Sequence, residues 1–157
     1  TPKATTIVLA DGGRKSIPSE TISRLLAQQQ RVLAIDPFYF GESKIAQKDF
    51  LFALMVATVG ERPIGIQANQ INAIAKRARE SLDSDHVNVS SIGPRTSLMA
   101  RVAAACDSQV SSCQTKDEFS SLREVIKQDL TVNKQPELFC FGLLKTCDIP
   151  HLKLLAK

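Results

Sequence analysis

Two stretches of the chain carry side chains and backbone suited to holding an anion. Gly12-Gly13-Arg14-Lys15 closes one short apolar run, and Gly93-Pro94-Arg95-Thr96-Ser97 closes another. A guanidinium forms paired, charge-assisted bonds to a carboxylate, phosphate or sulfate, and a helix N-terminus adds free backbone N–H groups. Arg95, seconded by Arg14 and Lys15, is therefore a candidate small-anion site. A plainer expectation competes with it: opposite charges on adjacent loops commonly pair without function, so Arg95 is expected to meet Asp11 or Asp36. In the same spirit, Gly12 and Gly13 are expected to turn the chain, and Ser97 to be a helix N-cap.

A second chemistry would use the hydroxyls of Thr96 or Ser97. A serine nucleophile needs a base, itself oriented by an acid, and the sequence offers only His86 and His151 as imidazoles. His86 leads into a strand at the edge remote from the candidate loops. His151 opens a short C-terminal helix, where a capping or surface role is expected. For Ser97 to attack, Asp36, Glu42 and His151 would have to converge on it. Cys106 is a poor substitute, because burial in an apolar helix raises a thiol's pKa. Cys106, Cys113, Cys140 and Cys147 lie 7, 27 and 7 residues apart, which is not a zinc-finger spacing. They are expected as small buried hydrophobes; no metal and no cofactor is expected.

The elements that must position these residues follow from periodicity. Thr5–Ala10 is a β-rich run stopped by Asp11-Gly12-Gly13, and Val32–Ile35 is a second, closed by Asp36-Pro37. Between them Ile22, Leu25, Leu26 and Gln29 mark one side of a helix ending near Gln30, with Pro18 in its first turn. Phe50–Val59 is apolar on all sides and reads as a buried helix. Ile64, Ala68, Ile71, Ala75, Ala78 and Leu82 alternate at intervals of four and three, which places them on one helix face. Val87–Ile92 is a third strand, followed after Gly93-Pro94 by a helix of small residues, Leu98–Cys106. Gln109–Ser112 is a weaker fourth strand, and Thr115-Lys116-Asp117-Glu118 matches a capping box opening a helix through Phe119, Leu122, Ile126 and Leu130. Alternating strands and helices predict one α/β domain over residues 1–157: a three-layer sandwich around a mainly parallel four-stranded sheet, with its functional loops beyond the C-terminal strand ends.

Composition narrows the classes. The chain has 157 residues, a formal net charge of +4, and is 43% hydrophobic and 5% aromatic. That is enough material for one core without staples. Acids interleave with the bases and no aromatics are interspersed, so no nucleic-acid surface is expected. The longest apolar run falls well short of the ~18–20 residues that span a bilayer.

Three pieces then arrive in a telling order: a strand ending in Asp11-Gly12-Gly13, a strand ending in Asp36-Pro37-Phe38-Tyr39-Phe40-Gly41-Glu42-Ser43, and a strand-turn-helix from Ile92 to Leu98. They resemble the α/β-hydrolase fold. The stretch Ala57–Gln67 (ATVGERPIGIQ) and the tail Pro136–Leu144 (PELFCFGLL) more closely resemble the acetyl xylan esterase-related proteins of planctomycete-type bacteria. The likeness runs from Thr5 to Ala156. It implies that the loop Asp11-Gly12-Gly13 supplies a backbone N–H to an oxyanion hole, its glycines allowing close approach, and that Gly93–Ser97 occupies the place of the G-x-S-x-G nucleophile elbow. Arginine then stands where the nucleophile belongs, and a guanidinium that stays protonated cannot attack. The family's usual histidine in the first loop is Asp11, and its later acid and base would come from strands beyond Lys157.

The resulting expectation is a hydrolase-like domain without a complete Ser-His-Asp set, non-catalytic on its own and belonging to a larger, secreted protein, which would place it outside the cytoplasm. Alternatives are an active carbohydrate esterase with Ser97 as nucleophile and acetylated carbohydrate as substrate, or a small-anion module centred on Arg95 with Gly12, Gly13, Arg14 and Thr96. The sheet order is predicted as 2-1-3-4. Its fourth strand would be an open edge for the rest of the protein or a second copy. Phe139, Phe141, Leu143 and Leu144 of the tail are expected to cover the core.

Overall fold

The computed structural model describes residues 2–45 and 49–156. Four parallel strands, β1 (Ala4–Ala10), β2 (Arg31–Ala34), β3 (His86–Ile92) and β4 (Ser112–Lys116), stand in the order β2-β1-β3-β4. Helices surround them: α1 (Ser19–Ala27), α2 (Asp49–Thr58), α3 (Pro63–Ser81), α4 (Pro94–Cys106) and the short α5 (Glu124–Lys127), α6 (Leu143–Thr146) and α7 (Ile149–Leu155). The strand order matches the sequence expectation.

That order fixes where a site can form. The chain steps from β1 to β2 in one direction, then back across to β3 and on to β4. Right-handed crossovers therefore put α1 on one face and α3 and α4 on the other. The reversal occurs between β1 and β3, so the crevice at a topological switch point lies between the loop after Ala10 and the loop after Ile92.

The core sits on the α3–α4 face. Ile7, Leu9, Val87 and Val89 point there, fully buried against Ile71, Ala75, Ala78, Met99, Ala100 and Ala103. The alternating four-and-three pattern in α3 predicted its buried positions, with Leu82 partly buried at the end. Alanines at the contact bring α4 close to the sheet. On the opposite face α1 buries only Leu25; Leu26, expected beside it, is 55% exposed, and the helix ends at Ala27 because Gln29 turns into the left-handed region.

Four further expectations are corrected. The fourth strand begins at Ser112, not Gln109, because the preceding segment is claimed otherwise: Arg79 Nε donates to the Gln109 carbonyl (2.9 Å) and Arg79 Nη2 to Ser111 Oγ (2.8 Å). Thr115 and Lys116 are thus in β4 and cap nothing. Asp117 at φ 60° turns the chain, leaving α5 as the only helix of that stretch, with Ile126 75% exposed. The apolar run expected as a buried helix exposes, among its described side chains, Leu51, Leu54 and Met55 of α2 and Val59 just after it. In the tail, Phe139 and Leu143 pack on the core together with Leu138, Ile149 and Leu152, whereas Phe141 is 86% exposed and Leu144 is also exposed.

Candidate functional site

Two carboxylates organise the C-terminal edge of the sheet. Asp11, the first residue after β1, reaches across the switch-point crevice to the start of α4. It accepts from the Arg95 backbone N–H (3.1 Å), the Thr96 backbone N–H (2.8 Å) and Thr96 Oγ1 (2.8 Å). This does the work of an N-cap from 84 residues away in sequence. Gly93 is the residue at the N-cap position, with φ 106°, and a Cβ there would stand 2.4 Å from Asp11 Cγ. The expectation of Ser97 as the cap is corrected: it lies a full turn inside the helix, where its N–H is already bonded to the Gly93 carbonyl at 3.0 Å.

Asp36 plays the matching part after β2. Its carboxylate accepts from the backbone N–H groups of Arg14 (2.6 Å) and Glu42 (3.1 Å), and lies 3.6 Å from Arg14 Nε. A Cβ on Gly41 would come within 2.2 Å of that carboxylate. Outside it, Glu42 pairs with Arg14 and with Lys15 (2.8 Å), and the Lys15 bond, then Arg14, hold the Glu42 carboxyl below its ordinary range. The two loops are locked together, and the cations expected to assist Arg95 are engaged elsewhere.

Arg95 itself is closed off. Its guanidinium donates through Nε and Nη2 to the two oxygens of Glu137, the second bond at 3.2 Å, and stacks 4.3 Å from the centre of the Phe40 ring. The side chain of Arg95 is 18% exposed and that of Glu137 is fully buried. Burial pushes the Glu137 carboxyl above its ordinary range against the opposing pull of Arg95. The pairing predicted with Asp11 or Asp36 is therefore corrected in partner but not in kind. Asp11 takes the Arg95 backbone, and the side chain turns to the tail. Glu137 was missed in the sequence, although a lone carboxylate in Pro136-Glu137-Leu138-Phe139 signalled it: a charge inside an apolar segment needs a partner.

The serine chemistry finds no support in this geometry. Ser97 is 1% exposed, and among the described residues its Oγ is hydrogen-bonded to Ser91 Oγ alone, at 3.1 Å. His151 Nδ1 accepts from the Asp148 backbone N–H at 3.0 Å in a capping box that starts α7, as its capping role predicted. His86 starts β3, paired with Ala4 at the opposite end of the strands. Neither imidazole, nor Asp36 or Glu42, is among the bonded partners of Ser97. Gly12 and Gly13 turn the chain, and the Gly13 N–H is spent on the Ala10 carbonyl (2.8 Å), as the Arg14 N–H is on Asp36. Among the described residues no group of three or more His, Cys, Asp or Glu side chains is gathered to hold a metal ion.

The cysteines divide by environment. Cys106 is exposed, against expectation, because it ends α4 beyond the last core-facing turn. Cys113 is half-buried in β4, and burial pushes its thiol up to about 11.

Comparison with family models, with curated proteins and with solved structures found no match. Asp11 takes the Arg95 and Thr96 N–H groups and the Thr96 hydroxyl, Asp36 the Arg14 N–H, and Glu137 the Arg95 guanidinium, so these groups are engaged internally rather than offered to an anion or an acyl transition state.

Proposed function

We propose that this chain is a non-catalytic α/β-hydrolase-like domain, similar to the acetyl xylan esterase-related proteins, that supports a larger protein rather than turning over an ester itself. One observation carries the reading: the residue at the elbow position, Arg95, is bonded to a buried carboxylate of the same chain. The strand order and the loops converging at the β1/β3 switch point fit a hydrolase-type frame. The hydroxyl of Thr96 is bonded to Asp11 and that of Ser97 is buried without an imidazole partner, which argues against an esterase built on either.

A supporting role also accounts for what lies on the outside. β4 is an edge strand with no neighbour beyond it among the described residues, and the exposed apolar side chains of α2 and Phe141 leave surface to be covered. The partner in this reading is the remainder of a longer protein.

The test is exposure of the folded chain to a fluorophosphonate probe, with peptides mapped by mass spectrometry and folding checked by circular dichroism. The expected result is no serine adduct and no hydrolysis of an activated acetyl ester above that of a Ser97→Ala variant. An adduct at Ser97 overturns the proposal.

A further inference from the structure

The sheet face opposite the core is only half covered. α1 lies against β2 and the adjoining part of β1, where Thr6 is buried and bonded to Gln30, and beyond it the register places Asn88 beside Ser112 and Ser90 beside Gln114 on the same face. Between α1 and these strands run two adjoining cavities of about 270 and 200 Å³, and Arg24, Ser90 and Gln114 line both. The second cavity extends to Lys116 at the end of β4.

The lining has an uneven chemistry. Hydroxyls, amides and two cations face the groove, and no carboxylate lines either cavity. The side chains of Arg24, Ser90, Gln114 and Lys116 make no hydrogen bond or ion pair among the described residues. This contrasts with Arg14, Arg31, Arg79, Arg95 and Arg101, each of which is bonded within the fold. Two unneutralised cations over an acid-free polar floor create a local positive potential, while Ser90 and Gln114 offer both donors and acceptors. No aromatic ring lines the groove, so a neutral sugar would lack a stacking face.

We propose that this groove binds a compact hydroxylated anion, a carboxylate or phosphate carried on a polyhydroxylated body, with the anionic group between Arg24 and Lys116 and the hydroxyls on Ser90 and Gln114. All four residues line the second cavity, which at ~30 Å³ per water holds about seven waters, and the first, which shares Arg24, Ser90 and Gln114 with it, holds about nine more. The site is separate from the closed Arg95 edge and does not depend on the supporting role proposed above.

The experiment is an amide NMR titration of the folded chain with glucuronate, glucose 6-phosphate and glucose. Saturable shifts of the Ser90 and Gln114 backbone amides are expected with at least one of the two anions and not with glucose. The stronger of the two identifies the anionic group as carboxylate or phosphate. Arg24→Gln and Lys116→Gln, both at exposed positions, should each weaken binding several-fold, while Arg14→Gln leaves it unchanged. The proposal is overturned if neither anion produces saturable shifts at those amides, if glucose binds equally well, or if binding survives the Arg24→Gln/Lys116→Gln double substitution.

Discussion

Removing one partner of a buried ion pair costs more than replacing both, because the survivor keeps its desolvation penalty without its compensation. Arg95 and Glu137 present that case, with Glu137 fully buried and Arg95 also pressed on Phe40. Glu137→Ala is expected to destabilise the chain by about 3 kcal/mol, whereas the paired change Arg95→Met/Glu137→Leu should cost much less; urea unfolding of both variants measures the difference. A double variant as damaged as the single one would show that the pair is worth more than its desolvation. Asp11 and Gly93 are coupled through space instead. Gly93→Ala places a methyl 2.4 Å from Asp11 Cγ at a left-handed φ, so a loss of at least ~2 kcal/mol is expected, from strain and from a displaced cap. The damage should be smaller in an Asp11→Ala background, where the collision is gone, and a double-mutant cycle reads that coupling. Thiol reactivity separates the cysteines at the same scale. At pH 8 iodoacetamide should modify exposed Cys106 first and Cys113 last, since a thiol at about 11 is scarcely ionised there.

At the scale of elements, the C-terminal tail is tied down by Asp148. Burial tends to raise its carboxyl, but bonds from Ser121 Oγ (2.5 Å), the Leu122 N–H (2.7 Å) and the Ile149 N–H (2.8 Å) outweigh it and hold the group below its ordinary value of 3.8. A carboxyl lowered in the folded state stabilises only while ionised. Its contribution is full above 3.8 and fades as the pH falls through the lowered value. Asp148→Ala should therefore cost about 1 kcal/mol near neutrality, and its gap from the parent chain should narrow as the pH drops below that range, as followed by thermal melts. A gap that stays constant with pH would mean that the charge plays no part. Asp148 also shows what was legible in the sequence. The position of His151 at the start of a short helix is local, and its capping or surface role was expected from it, although the box it completes with Asp148 was not. The bonds to Ser121 and Leu122 link segments 26 residues apart and left no mark in either. β1, β2, β3 and α3 were legible for the same reason, since β-rich runs and the alternating spacing of Ile64 to Ala78 are written in contiguous residues, whereas β4 shares only Ser112 with the run expected for it. The α/β class followed from that succession, whereas the sheet order was expected from the resemblance to the α/β-hydrolase fold and is the order found. The helix expected from Thr115 failed because its capping-box pattern competes with a ladder to β3 that only the folded chain supplies. The candidate loops were found, yet their closure was not, because Glu137 reaches Arg95 from 42 residues away.

The whole molecule holds its polar edge closed and leaves apolar surface open. α2 was expected inside because its sequence is apolar on every side, but a helix becomes buried only if another layer covers it, and α2 lies in the long connection from β2 to α3. Leu51, Leu54, Met55 and Val59 are 40–76% exposed. Several exposed apolar side chains on a chain of modest net charge, +4, promote self-association, because little electrostatic repulsion opposes removal of that surface from water. The double substitution Leu54→Ser/Met55→Ser should therefore reduce concentration-dependent association in sedimentation velocity and lower the fluorescence of a bound apolar dye. Since both side chains already face water, the urea midpoint should correspond to a stability within ~0.5 kcal/mol of the parent chain. A loss above ~2 kcal/mol would instead mean that the two side chains pack against the body of the domain. Unchanged association together with unchanged stability would place the adhesive surface elsewhere, with the exposed edge of β4 as the next region to substitute.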